Sequence, residues 1–195
     1  MLETYRTFIA IEIPHEIRAR VAAHITRLRR ALPDVAASWN REDNLHLTLK
    51  FLGSVPVAKI EELSDAVGAF TAQLEPFQLT LAGCGAFPAR GKPNVLWIGI
   101  EDPHAILTRL HQALEDNCSK VGFTREARAF HPHLTIARLR RPQGARELAD
   151  LHRSLAFPAM PFEVSEVIVF RSELLKAGAR HTALFRHQLA AGLSN

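Results

Sequence analysis

Leu45-His46-Leu47-Thr48-Leu49-Lys50-Phe51-Leu52-Gly53 and Pro132-His133-Leu134-Thr135-Ile136-Ala137-Arg138 decide the fold, because the pattern His-Leu-Thr-aliphatic occurs at 46 and returns at 133, 87 positions on. Along an extended strand side chains alternate between faces, so His46 shares a face with Thr48, and His133 with Thr135. Each copy offers one titratable nitrogen beside one hydroxyl. With 10 His and 10 Thr in 195 residues, chance alone gives roughly 0.5 His-x-Thr matches, yet three are present. The third, His24-Ile25-Thr26, lies where Ile17, Val21, Ile25, Leu28 and Leu32 recur every three or four residues. That is helical spacing, and residues two apart on a helix point in nearly opposite directions, so this copy is the accidental one.

Outward from the motifs, the surrounding elements repeat as well. Thr7 to Ile13 alternates like a strand and Pro14 opens the helix just described. The same order returns at Val95 to Ile100, followed by Asp102 as a cap, Pro103 as a first helical residue, and Ile106, Leu107, Leu110, Leu114 and Cys118 as the buried stripe. After the first motif strand, near 45–51, come a helix near 56–72 and a strand near 77–82. After the second, near 133–139, come a helix near 144–156 and a strand near 162–170. Ala183 to Leu189 reads as an extra strand. A nearly constant offset marks two copies of one unit of roughly 85 to 90 residues. The expectation is a single α+β domain spanning 1–195, bilobal, with repeats of roughly 1–90 and 91–195 forming the lobes. Two antiparallel sheets carry helices on the outside, and a pseudo-two-fold axis brings His46 and His133 to a central groove.

Composition places the chain among ordinary globular proteins, with 47% hydrophobic and 23% charged residues and a net charge of +4. The mild basic excess suits a polyanionic partner. Cys84 and Cys118 have neither metal-type nor redox-type spacing, which favours a reducing compartment. The sequence shows no secretory leader and no membrane-spanning stretch, so a cytoplasmic protein is expected. The loop from Gly83 to Asn94 lacks a Gly-Lys-Ser/Thr ending, so its glycines read as turn formers rather than a phosphate-binding loop; Arg90 and Lys92 on it are candidates for flanking phosphates.

Two facing histidine–hydroxyl pairs suit phosphodiester hydrolysis, in which one imidazole takes a proton from water and the other supplies one to the leaving oxygen. Thr48 and Thr135 can donate hydrogen bonds to the phosphoryl oxygens. No metal or other cofactor is needed: His131-Pro132-His133 has no Cys or Asp partner at ligand spacing. Lys50 has the parity of His46 and Thr48 and is expected to face the groove or cap the strand edge. Arg138 has the opposite parity to His133 and reaches the site only if the strand bulges after Ala137.

With both motifs in this order, the chain resembles the 2H phosphoesterase superfamily, and within it the RNA 2′,3′-cyclic phosphodiesterases historically called 2′-5′ RNA ligases. Arg6-Thr7-Phe8-Ile9-Ala10-Ile11, Phe87 with Val95-Leu96-Trp97, and Phe170-Arg171-Ser172-Glu173-Leu174 extend the likeness over almost the whole chain. The resemblance implies metal-independent opening of a 2′,3′-cyclic phosphate at an RNA end to a 2′-phosphate. It assigns His46 as proton donor to the 3′ oxygen and His133 as proton acceptor, with Thr48, Thr135 and Arg138 on the phosphate. The partner implied is RNA with a cyclic phosphate end, tRNA fragments and cyclic nucleotides being candidate sources, and the protein is expected to act as a monomer away from membranes. His181-Thr182 stands where relatives carry a Tyr-Glu pair before the last strand, a departure at the groove's edge. The competing expectations are an RNA- or nucleotide-binding module without turnover, and an enzyme that joins RNA or cleaves another cyclic nucleotide phosphate.

Overall fold

The computed structural model describes residues 3–176 and 178–190. Its elements run β1 (Thr4–Glu12), α1 (His15–Ala31), β2 (Ala37–Trp39), β3 (His46–Pro56), α2 (Ile60–Thr71), β4 (Phe77–Phe87), β5 (Val95–Glu101), α3 (Ile106–Lys120), β6 (His133–Leu139), α4 (Ala145–Leu155), β7 (Met160–Val164), β8 (Glu166–Leu175) and β9 (Gly178–Gln188). The order strand, helix, motif strand, helix, strand occurs twice, as the spacing predicts. The strand expected near 162–170 is two strands separated by Ser165, and the short β2 carries too few residues to show a period. Among the described residues no helix is long and apolar enough to cross a membrane.

Pro14 precedes the first residue of α1 as expected. Asp102 does cap α3, but from farther out: its carboxylate accepts from the backbone N–H groups of Ile106 (3.0 Å) and Leu107 (2.8 Å). Pro103 therefore sits in a turn before the helix, and Ala105, with φ of 52°, swings the chain into it.

One sheet has the order β3-β1-β8-β9 and the other β2-β6-β5-β4-β7, with every pairing antiparallel. The sequence repeat and the lobes do not coincide. β4 belongs to the first repeat yet pairs with β5 in the second sheet, while β8 returns to pair with β1 in the first. The helices are exchanged too. α1 lies with α4 behind the second sheet, where the His24 ring bonds that of His152 (2.9 Å) and His152 donates Nε2–H to the carbonyl of Trp97 (2.9 Å). α2 and α3 pack together behind the first sheet, whose Lys50 meets Glu115 of α3. Interleaving of this kind buries one continuous core, with Ile9, Ile11, Leu47 and Leu63 in it alongside Leu96, Ile98, Leu134 and Leu148. A smaller cluster of Phe8, Ala10, Ile168 and Phe170 lies on the opposite face of the first sheet.

Candidate active site

Both motif strands carry their His-x-Thr pair on the face turned away from the helices. In β3, Leu47 and Leu49 are buried while His46 and Thr48 are half-exposed. In β6, Leu134 and Ile136 are buried while His133 and Thr135 are half-exposed. β3 and β6 lie against each other, and a short piece of chain ties them. Asn40 donates its backbone N–H to the carbonyl of Ile136 (2.9 Å) and its side-chain Nδ2 to that of Thr135 (2.7 Å). His46 follows only six residues later, which limits its backbone to about 20 Å from the Thr135 strand even if the link were fully extended.

The two strands share a second feature. β1 and β3 lose register between Ile9 and Ala10, so that Thr48 pairs with Ala10 and Lys50 with Ile9, leaving Leu49 as the extra residue of a bulge. β5 and β6 lose register between Leu96 and Trp97, so that Thr135 pairs with Trp97 and Ala137 with Leu96, leaving Ile136 extra. A bulge inverts the parity of everything beyond it. Leu49 and Lys50 consequently both face the core, as do Ile136 and Ala137, and the next residues, Phe51 and Arg138, emerge on the side of the histidines.

This overturns the assignment of Lys50 to substrate. Its side chain is buried, and its ammonium donates to both carboxylate oxygens of Glu115 (2.7 and 2.8 Å) and to the carbonyl of Thr124 (2.9 Å). Arg138 is corrected in the other direction: the bulge comes one step earlier than simple parity required, and Arg138 lies close enough to depress the proton affinity of His133. Arg90 and Lys92 are exposed on the β4–β5 loop, which Arg146 fastens by donating Nη2–H to the carbonyl of Gly91 (2.6 Å).

His133 Nδ1 lies 2.6 Å from the backbone oxygen of His131, two residues upstream, and Asn44 stands at the same spacing before His46, where its carbonyl favours the charged ring. A carbonyl can only accept, so Nδ1 of His133 carries the proton and Nε2 keeps its lone pair. Asn44 is itself held by its Nδ2, which donates to the carbonyl of Ala179 (2.9 Å) at the start of β9.

The surroundings of the rings are aromatic. His46 stacks on Phe8 at 4.7 Å and meets His181 edge-on at 5.2 Å, whereas His133 meets Phe87 edge-on at 5.1 Å, with Trp97 at 6.3 Å. Trp97 can lie flat on the second sheet because its cross-strand neighbour is Gly85, where a Cβ would come within 2.1 Å of the indole. Burial, the nearby His181 charge and the opposing pull of the Asn44 carbonyl leave His46 with a pKa lowered to about 4. Burial also lowers that of His133; the His131 carbonyl opposes the shift, and Arg138 adds to it. Sequence reasoning missed Phe8 and Phe51 as parts of this surface, although Phe8 stood within the strand that resembled the family.

A model of the 2′-5′ RNA ligase superfamily matches residues 14–174, with both His-x-Thr strands inside. The chain belongs to that superfamily. Among curated members, the RNA 2′,3′-cyclic phosphodiesterase of Methanothermobacter thermautotrophicus is 33% identical over 91% of this chain and 95% of its own length. That of Escherichia coli is 30% identical over 97% of this chain and 99% of its own. The Geobacillus stearothermophilus phosphodiesterase is also 33% identical, over 87% of this chain but 52% of its own length. Solved structures agree on the fold. Thermus thermophilus TT0787 superposes with a TM-score of 0.80 at 25% identity, and E. coli LigT complexed with 3′-AMP with a TM-score of 0.73 at 30%, each over 96% of this chain and 99% of its own. Within this superfamily member, the closest approach to a metal-type cluster among the described residues is His24, Cys84 and His152, whose donor atoms lie within 4.8 Å of one another. Its two imidazoles are already engaged. Trp97 O takes the Nε2–H of His152, so Nδ1 of His152 accepts from His24.

Proposed function

We propose that the protein hydrolyses the 2′,3′-cyclic phosphate at an RNA end to a 2′-phosphomonoester without a metal ion, and that His46 and His133 carry the two proton transfers. In this reading Nε2 of His133 takes a proton from water, the oxygen of that water forms a bond to phosphorus, the P–O3′ bond breaks, and O3′ receives a proton from His46. The sum is addition of one water. Thr48 and Thr135 donate to the non-bridging oxygens, and the Arg138 guanidinium balances the charge that grows on them.

The observation that carries the reading is that two strands, bulged at twin positions, hold the same His-x-Thr pair on the helix-free side, with the Nε2 lone pair of His133 free. General-base work requires that lone pair, and the His131 carbonyl supplies the orientation. Acid work requires a protonated His46, which the free groove resists by burial. The anionic substrate reverses that resistance, since a phosphate beside the ring favours its charged form. The reaction is assigned to a reducing compartment, the cytoplasm, in keeping with Cys84 and Cys118 as free thiols, and to the monomer.

The test is turnover of adenosine 2′,3′-cyclic phosphate and of an oligoribonucleotide ending in the cyclic phosphate, in the presence of chelator, with the phosphate position of the product read by NMR. His46→Ala and His133→Ala are each expected to lower kcat by about 10²- to 10⁴-fold, the usual contribution of a positioned acid or base. Undiminished turnover in both variants, or a 3′-phosphate product, would refute the assignment.

A further inference from the structure

The loop between α3 and β6, residues 121–132, has neither helix nor strand, yet it runs back along α3 with a tether at every stage. Loops of that length without secondary structure are uncommon and usually serve function. Phe123 donates its backbone N–H to the carbonyl of Cys118 (3.0 Å), Arg125 pairs with Asp116, and Glu126 donates its backbone N–H to the Glu115 carboxylate (3.0 Å). Phe130 then lies flat on His111, with ring centroids 4.0 Å apart and an interplanar angle of 8°. Each step forward along the loop thus meets a partner farther back along the helix. The residue after Phe130 is His131, whose carbonyl lies 2.6 Å from Nδ1 of His133. Glu115 is itself gripped by Lys50, which also donates to the carbonyl of Thr124 (2.9 Å), and Lys50 stands on β3, the strand of His46 and Thr48. A continuous line of contacts therefore joins the strand of one histidine to the ring of the other.

We propose that His111 is a positioning residue for His133: by stacking on Phe130 it holds the end of loop 121–132 so that the His131 carbonyl stays aimed at Nδ1. This rests on the hydrolytic reading, which gives His133 the base role. Base work at Nε2 needs the ring proton on Nδ1, and the tautomer of a neutral imidazole is set by the hydrogen bond its other nitrogen makes. With the carbonyl turned away, the proton passes to Nε2, as in most solvated histidines, and no lone pair faces the water. Two constraints keep the carbonyl in place. Pro132 supplies the first, since the residue before a proline is confined to extended backbone. The second is where His131 stands, and its neighbour Phe130, the last tethered residue of the loop, decides that. The Glu115 clamp fixes the same loop farther upstream, and the bulge that turns Lys50 into the core is what lets β3 reach it.

The experiment reads the tautomer of His133 by long-range proton–nitrogen NMR of the free protein at pH 8, with His133→Gln identifying its signals, and measures kcat and KM for adenosine 2′,3′-cyclic phosphate. It compares wild type with His111→Ala, with His111→Phe, which keeps a flat ring on Phe130, and with Phe130→Leu, which keeps the apolar contact but not the stack. Wild type and His111→Phe are expected to hold the Nδ1–H form. His111→Ala and Phe130→Leu should gain the Nε2–H form and lose kcat with KM little changed. A catalytic group misplaced by about 1 Å loses on the order of 10²-fold, which is the loss expected here. Thermal melting separates a loosened loop from an unfolded chain, and Phe130→Leu carries the test if His111→Ala does not fold. A His133 that keeps its Nδ1 proton in the loosened variants, or a shifted tautomer with kcat unchanged, would overturn the positioning role while leaving the hydrolysis intact. So would a loss of kcat that His111→Phe fails to restore. If wild type turns over no substrate the hydrolytic reading falls, and the tautomer comparison alone then decides whether His111 holds His133.

Discussion

His46 and His133 occupy twin positions on their motif strands, yet their neighbours differ, and the difference sets how they titrate. His46 is half-buried against Phe8 and faces His181 from β9, so its pKa falls to about 4, while His133 is lowered by burial, with the Arg138 charge adding to the shift. Both rings are therefore neutral in the free enzyme at pH 7. The proposed mechanism needs His46 charged and His133 neutral, and the charged fraction of His46 shrinks as pH rises above about 4. kcat/KM, which reports the free enzyme, is expected to fall toward high pH, whereas kcat, which reports the enzyme with its anion bound, should hold to higher pH. His181 contributes a lowering, so removing its charge must raise the pKa of His46. In His181→Gln the NMR titration of His46 and the alkaline limb of kcat/KM should both move to higher pH. A shift to lower pH, or none, would contradict the coupling. The sequence marked His181 only as a departure from a familiar pair; its contact with His46 joins β9 to β3, with the Asn44–Ala179 bond beside it spanning 135 residues, and no local pattern carries that information.

At the scale of the strand, the matching bulges at Leu49 and Ile136 decide which side chains the groove receives. The repeats, the helical stripes and the His-x-Thr faces were legible because each depends on a local period. The bulges were not, since parity counted forward from His46 or His133 assumes a regular ladder. One residue did hold the clue. Leu139 is buried, and parity counted backward from it places Arg138 on the outer face, in conflict with the forward count; only an inserted residue satisfies both. In β3 the insertion commits Lys50 to the core, where its ammonium and the Glu115 carboxylate are almost wholly shielded from water. Removing one member of such a pair strands the other as a buried charge, at a cost of about 3–5 kcal/mol, whereas replacing both with apolar groups is often near neutral. Lys50→Met should lower the urea-derived stability by that amount, and Lys50→Met with Glu115→Met should recover more than half of it. A single variant within about 0.5 kcal/mol of wild type would show that the pair does not hold β3 to α3 as described.

At the scale of the whole molecule, the duplication that is visible in sequence and the two sheets that are visible in space cut the chain differently. A boundary near residue 90 separates β1 from β8, its partner along Arg6 to Ala10, and β4 from both β5 and β7. It also strips α1 of the α4 surface where His24 meets His152, and β3 of the α3 carboxylate that neutralises Lys50. The reason this was not legible is topological. A repeat shows that two segments adopt the same local structure, and it is silent on whether a strand pairs within its own copy or with the other. The exchange has a consequence for the groove, because a wall built from both copies cannot swing as a unit about the connection near residue 90, and the histidines stand on strands fixed by long-range ladders rather than by a hinge. Separate polypeptides of 1–90 and 91–195 are therefore expected to lack cooperative thermal melting, each having sheet edges and apolar helix faces without partners. Mixed and refolded together, they should regain a single transition and the far-ultraviolet circular dichroism of the intact chain, because every missing partner is supplied by the other piece. Cooperative melting of either piece alone would mean that its sheet is self-sufficient and that the groove joins two independent lobes.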